Sequence, residues 1–384
     1  MSEALESFVV DIADDVIADL HDRLARTRWP SASPDGGWAY GTELGYLQEL
    51  CEYWRTTFDW RAAERRLNAW PQVLTEIDGE RVHAIHARSP EPNAFPLVMT
   101  HGWPGSVAEF LELVDPLRDP RAHGGDPADA FHIVCPSIPG YGFSGPTHQA
   151  GWHVVRVAAA VAELMARLGY DRYGAQGGDW GAITTMNLAA NDAAHVAGIH
   201  VNMMSASPPD RDNPSAGLSA AELAGLADAA AFQANETGYQ AIQRTKPQTL
   251  GYGLNDSPAG LAGWIVEKFR TWSDCDGDIE SRFTKDQLLT NIMIYWVTGT
   301  ISSSTRLYYE TASLGRSSTV PGRWEVPTGV ALFPKEIMRF PRSWVANRCN
   351  LTHWTEMPAG GHFAAMEEPA ALIDDVRAFF RTVR

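Results

Sequence analysis

The stretch Tyr173-Gly174-Ala175-Gln176-Gly177-Gly178-Asp179-Trp180-Gly181-Ala182 constrains this chain more than any other. A short strand runs into a glycine-crowded turn, and a helix follows through Ile183, Thr184, Met186, Asn187 and Leu188. Gly177 and Gly181, on either side of Asp179, permit the unusual dihedrals and close backbone approach of a very tight strand-to-helix turn. Such a turn holds one side chain out above the end of a sheet. Here that side chain is a carboxylate.

An aspartate is ionised at neutral pH and attacks without the help of a base. It suits a strained or activated sp3 carbon, and the product is an ester of the protein's own carboxylate, which activated water must then cleave. The bland alternative is an Asp that caps the following helix, and the remaining motifs decide between the two. The pattern is the nucleophile elbow of the α/β-hydrolases, with Asp where most carry Ser.

A chain of 384 residues exceeds one ordinary compact domain, so a core with inserted and appended pieces is expected. Its net charge of −16 disfavours nucleic acid and anionic membranes as partners. Cys51, Cys135, Cys275 and Cys349 are widely spaced, with neither a CxxC pair nor a His/Cys metal spacing, which predicts free thiols in a reducing compartment and no metal site. Phe8-Val9-Val10 is followed at once by Asp11, Asp14 and Asp15, unlike a signal peptide, and no apolar run is long enough to span a bilayer. A soluble, cytoplasmic protein is the expectation.

Residues 1–80 carry two amphipathic patterns, Ile12, Val16, Leu20, Leu24 and then Leu44, Leu47, Leu50, Tyr53, Trp54, and are expected to form a helical extension packed on the core. Residues 81–205 alternate strands (Arg81–His86, Leu97–Thr100, Phe131–Cys135, Gly198–Val201) with helices, which predicts a mostly parallel sheet of the α/β class. Residues 206–320 turn largely helical, with Trp264, Ile265, Phe269, Leu288, Ile292 and Tyr295 at core spacing, as expected of an inserted cap. Residues 321–384 resume the core with strands at 328–332 and 352–356 and a closing helix.

Two further loops carry chemistry. His101-Gly102-Trp103-Pro104 directly follows a strand, where this fold supplies one N–H of an oxyanion hole; the other comes from the residue after the nucleophile. Trp103 and Trp180 are therefore the candidate backbone donors. A base is expected late in the chain, and His362, in the glycine-rich loop Gly360-Gly361-His362-Phe363, has that place. Its acid partner is Glu336, after the penultimate strand, or else Asp210 or Asp212, after an earlier one.

In combination, Gly-Gly-Asp-Trp-Gly, His-Gly-Trp-Pro-Gly-Ser and Gly-Gly-His-Phe-Ala-Ala resemble the epoxide hydrolases of microsomal type, whose N-terminal extension this chain also shares. The resemblance covers nearly the whole chain. It implies that Glu336, within Phe333-Pro334-Lys335-Glu336, is the acid. It also implies that Tyr239, in Glu236-Thr237-Gly238-Tyr239, and Tyr308, in Arg306-Leu307-Tyr308-Tyr309, are catalytic tyrosines; spacing alone would make both mere cap aromatics, with Tyr309 an adjacent rival. A phenol that hydrogen-bonds the epoxide oxygen stabilises the charge that develops on ring opening. Phe143, Trp103 and Trp180 are expected to line an apolar pocket for a bulky or aryl epoxide.

The implied activity is cofactor-free hydrolysis of an epoxide to a vicinal diol, in detoxification or in secondary metabolism. Its small-molecule epoxide is the expected partner; a homodimer is left open. The membrane anchor of animal members has no counterpart here, so membrane association is not expected. A haloalkane dehalogenase is the nearest rival, but those enzymes generally place Asn where this chain has Trp103. A non-catalytic binding protein on the same fold is disfavoured by a full Asp, Glu and His set.

Overall fold

The computed structural model describes residues 4–315 and 322–384; the expected junction between cap and second core segment, at 320–321, lies outside them. Its strands are β1 (Glu6–Phe8), β2 (Gln72–Ile77), β3 (Glu80–Ala87), β4 (Phe95–Thr100), β5 (Phe131–Pro136), β6 (Tyr173–Gly177), β7 (Val196–Val201), β8 (Trp324–Leu332) and β9 (Cys349–Glu356). They form one sheet in the order β1-β2-β3-β5-β4-β6-β7-β8-β9. The first three pairings are antiparallel, and from β5 to β9 every neighbour is parallel. This is the α/β-hydrolase architecture.

The central strands bury both faces, which explains their unbroken apolar runs: Leu97, Val98 and Met99 of β4 and Ile133, Val134 and Cys135 of β5 are fully buried. The chain leaves β4 for β5 on one side and later returns to β6 on the other. The carboxyl ends of β4 and β6 therefore flank the point where strand order reverses, where open α/β sheets bind ligands.

The N-terminal extension differs from expectation in one respect. Besides the helices Asp14–Ala25, Leu44–Thr56 and Trp60–Leu67, it supplies β1 and β2 to the sheet edge. Neither strand shows an apolar alternation, because β1 has three residues and β2 buries the polar Gln72 and Thr75; Gln72 Oε1 pairs with the His83 ring at 2.8 Å. The extension also grips the cap. Arg23 reaches Asp256 at 2.8 Å, Lys285 reaches Glu49 at 2.8 Å, and Tyr53 donates to Asp286 at 2.9 Å.

The described residues between β7 and β8 are largely helical: Ala220–Asn235, Gly238–Gln243, Pro247–Asp256, Pro258–Trp272, Lys285–Thr298 and Ile301–Ser313. Local signals set the ends of these helices. Ser219 with Glu222 and Thr284 with Gln287 form reciprocal capping boxes, and Pro247 and Pro258 open their helices where no N–H is needed. Gly299, at φ 62°, closes the helix Lys285–Thr298. All four cysteines are free and buried. Among the described residues no helix is long and apolar enough to cross a membrane.

Candidate active site

Asp179 sits at the first turn of the helix that follows β6, with φ 48°, a left-handed value uncommon for a residue with a side chain. Two close approaches hold it there. A Cβ on Gly181 would collide with the Thr100 carbonyl at the end of β4, and one on Gly102 would collide with the Asp179 side chain. Glycine at these positions lets the elbow press against the β4 loop, and Trp103 N–H then donates to Asp179 Oδ1 at 2.8 Å.

His362 arrives from the loop after β9. Lys335 N–H donates to the Gly360 carbonyl at 3.1 Å, and His362 N–H donates to the Trp272 carbonyl at 2.9 Å, so the loop is tied to both the β8 exit and the cap. The imidazole Nδ1 lies 2.8 Å from Glu336 Oε1, and Nε2 faces Asp179 Oδ2 at 3.6 Å. Glu336 Oε1 also accepts the Ile337 N–H at 2.8 Å. Burial by itself would push the His362 pKa down, but the Glu336 and Asp179 carboxylates together outweigh it and hold the ring well above the ordinary histidine range.

The cap faces this trio with aromatic rings. Tyr239 stacks on Trp103 at 5.2 Å, and Tyr308 stands edge-on to Trp180 at 4.8 Å and to Trp103 at 5.8 Å. The two tyrosine rings are 5.9 Å apart. Burial first raises the pKa of each phenol; the Asp179 charge adds to this for Tyr239, and Tyr239 and Asp179 add to it for Tyr308. Both therefore stay protonated and available as donors. Tyr308 is 4% exposed, whereas its neighbour Tyr309 is 48% exposed and faces outward.

The structure thus brings Asp179, His362, Glu336, Tyr239, Tyr308, Trp103 and Trp180 to one place. Asp210 and Asp212 are exposed, and Asp210 Oδ1 accepts the Asp212 N–H at 2.9 Å. Phe143 is not brought to the cluster. Its ring contacts are with Phe8 at 5.7 Å and His83 at 5.3 Å, because the turn Gly142–Ser144 packs against β3.

Comparison with known proteins shows the family. Residues 5–110 match the family model "Epoxide hydrolase N terminus", and residues 96–251 match "alpha/beta hydrolase fold". A Stigmatella aurantiaca protein is 47% identical over 98% of this chain and 85% of its own. Epoxide hydrolase 1 of Sus scrofa is 40% identical over 98% of this chain and 88% of its own. The chain belongs to the epoxide hydrolase family. The Aspergillus niger epoxide hydrolase structure superposes with a TM-score of 0.88 at 32% identity, covering 99% of this chain and 97% of that one.

Sequence reasoning missed three residues that shape the site of this epoxide hydrolase. Trp272 contacts both the His362 and Tyr239 rings at 5.2 Å; it continues the core spacing of Ile265 and Phe269, which marks it as buried but not as part of a site. Glu367 accepts the Asp274 N–H at 2.7 Å and the Phe363 N–H at 2.9 Å, locking the His362 loop to the cap. His101, buried and pushed down to a pKa of about 4 by desolvation, accepts the Ile138 N–H on Nε2 and donates from Nδ1 to the Gly102 carbonyl at 2.9 Å. It braces the loop that presents Trp103. A separate group, buried His200 and half-buried His353 on either side of Asp375, with the Thr355 hydroxyl donating to Asp375, ties β7 and β9 to the last helix.

Proposed function

We propose that this epoxide hydrolase works through a covalent ester on Asp179. The observation that carries the reading is the alignment of Asp179, His362 and Glu336 on one side and two buried, protonated tyrosines on the other. Asp179 Oδ2, the oxygen not held by Trp103, attacks one epoxide carbon. The carbon–oxygen bond breaks towards Tyr239 and Tyr308, whose hydroxyls stabilise the developing alkoxide and protonate it.

The histidine pKa then changes with the reaction. Once Asp179 is esterified its negative charge is gone, and one of the two carboxylates that hold His362 protonated is lost. The proton released from His362 restores the tyrosine that gave its own to the new hydroxyl. Neutral His362 next takes a proton from water, which attacks the ester carbon. Charge builds on Oδ1 against the Trp103 N–H and, in the tetrahedral intermediate, the Trp180 N–H. The Asp179–diol bond breaks as the remaining water proton passes to the leaving diol oxygen, so Asp179 is ionised again and Glu336 stabilises the imidazolium. The rings of Trp103, Trp180 and Trp272 favour a bulky or aryl epoxide.

Acid-quenching excess enzyme with styrene oxide and weighing the intact protein tests this. A transient mass gain equal to one epoxide, decaying as diol appears, supports it; diol formation with no adduct at any time point rejects it.

A further inference from the structure

Behind Asp179 lies a small chamber with about 20 Å3 of room for the centre of a water-sized molecule. A single water needs roughly 10–15 Å3, so the chamber takes one. Its polar walls are Asp179, His362, Glu109, Gln176 and Asn202. Gln176 is 1% exposed; its Nε2 donates to Asn202 Oδ1 at 3.2 Å, and its Oε1 receives no hydrogen bond from the protein. A buried acceptor in that condition calls for a donor.

Glu109 stands on the turn Val107–Phe110, with its carboxyl group folded back over Gly105. A Cβ on Gly105 would collide with Glu109 Oε1, so the missing side chain at 105 is what lets the carboxyl group lie there. Burial pushes this group up to about 8, with the His362 charge opposing and the Asp179 charge adding to the shift. At neutral pH it is an uncharged acid, with one O–H donor and a carbonyl acceptor. On its outer side Glu109 borders a second cavity, also of about 20 Å3, lined by Arg66, Glu112, Gln287 and Thr290.

We propose that the chamber seats the hydrolytic water and that Glu109 and Gln176 are its positioning residues. The proposal rests on the aspartyl-ester reading above. The water's two protons face His362 Nε2 and Gln176 Oε1; one lone pair accepts the Glu109 O–H, and the other faces the Asp179 ester carbon. On attack the new carbon–oxygen bond forms as one proton passes to His362; the bond to the diol oxygen then breaks, and that oxygen takes the water's second proton, which leaves Asp179 a carboxylate. An uncharged acid suits this place because a carboxylate would repel the oxyanion and compete with His362 for the proton. The outer cavity gives a spent water a route of replacement while diol still fills the aromatic side.

Rapid-quench kinetics with styrene oxide separate alkylation from ester hydrolysis in the full-length enzyme and its Glu109→Leu, Glu109→Gln and Gly105→Ala variants. Glu109→Leu is expected to slow hydrolysis by about tenfold or more, the loss of one well-placed hydrogen bond, while alkylation holds and ester accumulates. Gly105→Ala, which displaces the carboxyl group without deleting it, should do the same. Glu109→Gln, neutral and of like shape, should restore most of the rate. Unchanged hydrolysis in the Leu and Ala variants, or equal losses in both steps, overturns the positioning role alone. Absence of any ester in the wild-type enzyme overturns it together with the reading beneath it.

Discussion

His362 Nε2 stands 3.6 Å from Asp179 Oδ2, beyond an ordinary hydrogen bond, while the opposite side of the same ring is fixed to Glu336. The imidazole is thus anchored from behind, and its front nitrogen is the one that the proposed mechanism gives to a water. His362→Gln is expected to keep alkylation and to lose ester hydrolysis by roughly 10²–10⁴-fold. The measurement is ester accumulation: the variant should trap stoichiometric adduct on Asp179, and a variant that turns over freely would remove His362 from the second step.

On the proposed mechanism Tyr239 and Tyr308 act in the other half of the reaction. Each phenol replaced by Phe removes one donor to the opening oxygen and is expected to slow alkylation by roughly 10²–10³-fold, with ester hydrolysis much less affected. Pre-steady-state tryptophan fluorescence reads the first step directly, because Trp103 touches both tyrosines and Trp180 touches Tyr308. Equal loss in both steps would mark the tyrosines as scaffold.

Glu336 and His362 also link stability to pH. The folded-state pKa of His362 is raised, so the pair's contribution is fully present below the ordinary histidine pKa and is lost as pH rises through the higher, folded value. Glu336→Gln keeps the shape and removes the charge. Thermal unfolding from pH 6 upward should show the wild-type enzyme more stable than Glu336→Gln at the acidic end, with the gap narrowing as pH rises. A gap that widens with pH would contradict the assigned charge states.

The sequence made some of this legible and hid the rest for physical reasons. The Asp179 elbow was visible because tight backbone approach demands glycine at particular spacings, and the structure shows why at Gly102 and Gly181. His362 follows from chain order, since it lies past the last strand; chain order left Glu336 open against Asp210 and Asp212, which also follow a strand, and the resemblance selected it. Tyr239 and Tyr308 came from resemblance alone; they meet Trp103 and Trp180 only through packing of the cap on the core, which periodicity does not encode. Phe143 went astray because an aromatic in a glycine-rich loop looks the same whether it turns to a pocket or, as here, to Phe8 and His83. The edge strands were hidden by the polar, buried side of β2.

The central claim is that Asp179 carries the substrate. A single turnover by excess enzyme on styrene oxide in ¹⁸O-water, followed by peptide mass spectrometry, tests it most directly. Water attack on the ester carbon leaves one water oxygen on the enzyme, so label is predicted in the Asp179 peptide and the diol should carry the enzyme's original carboxylate oxygen. Label in the diol with none in that peptide would mean direct attack of water on the epoxide and would contradict the account.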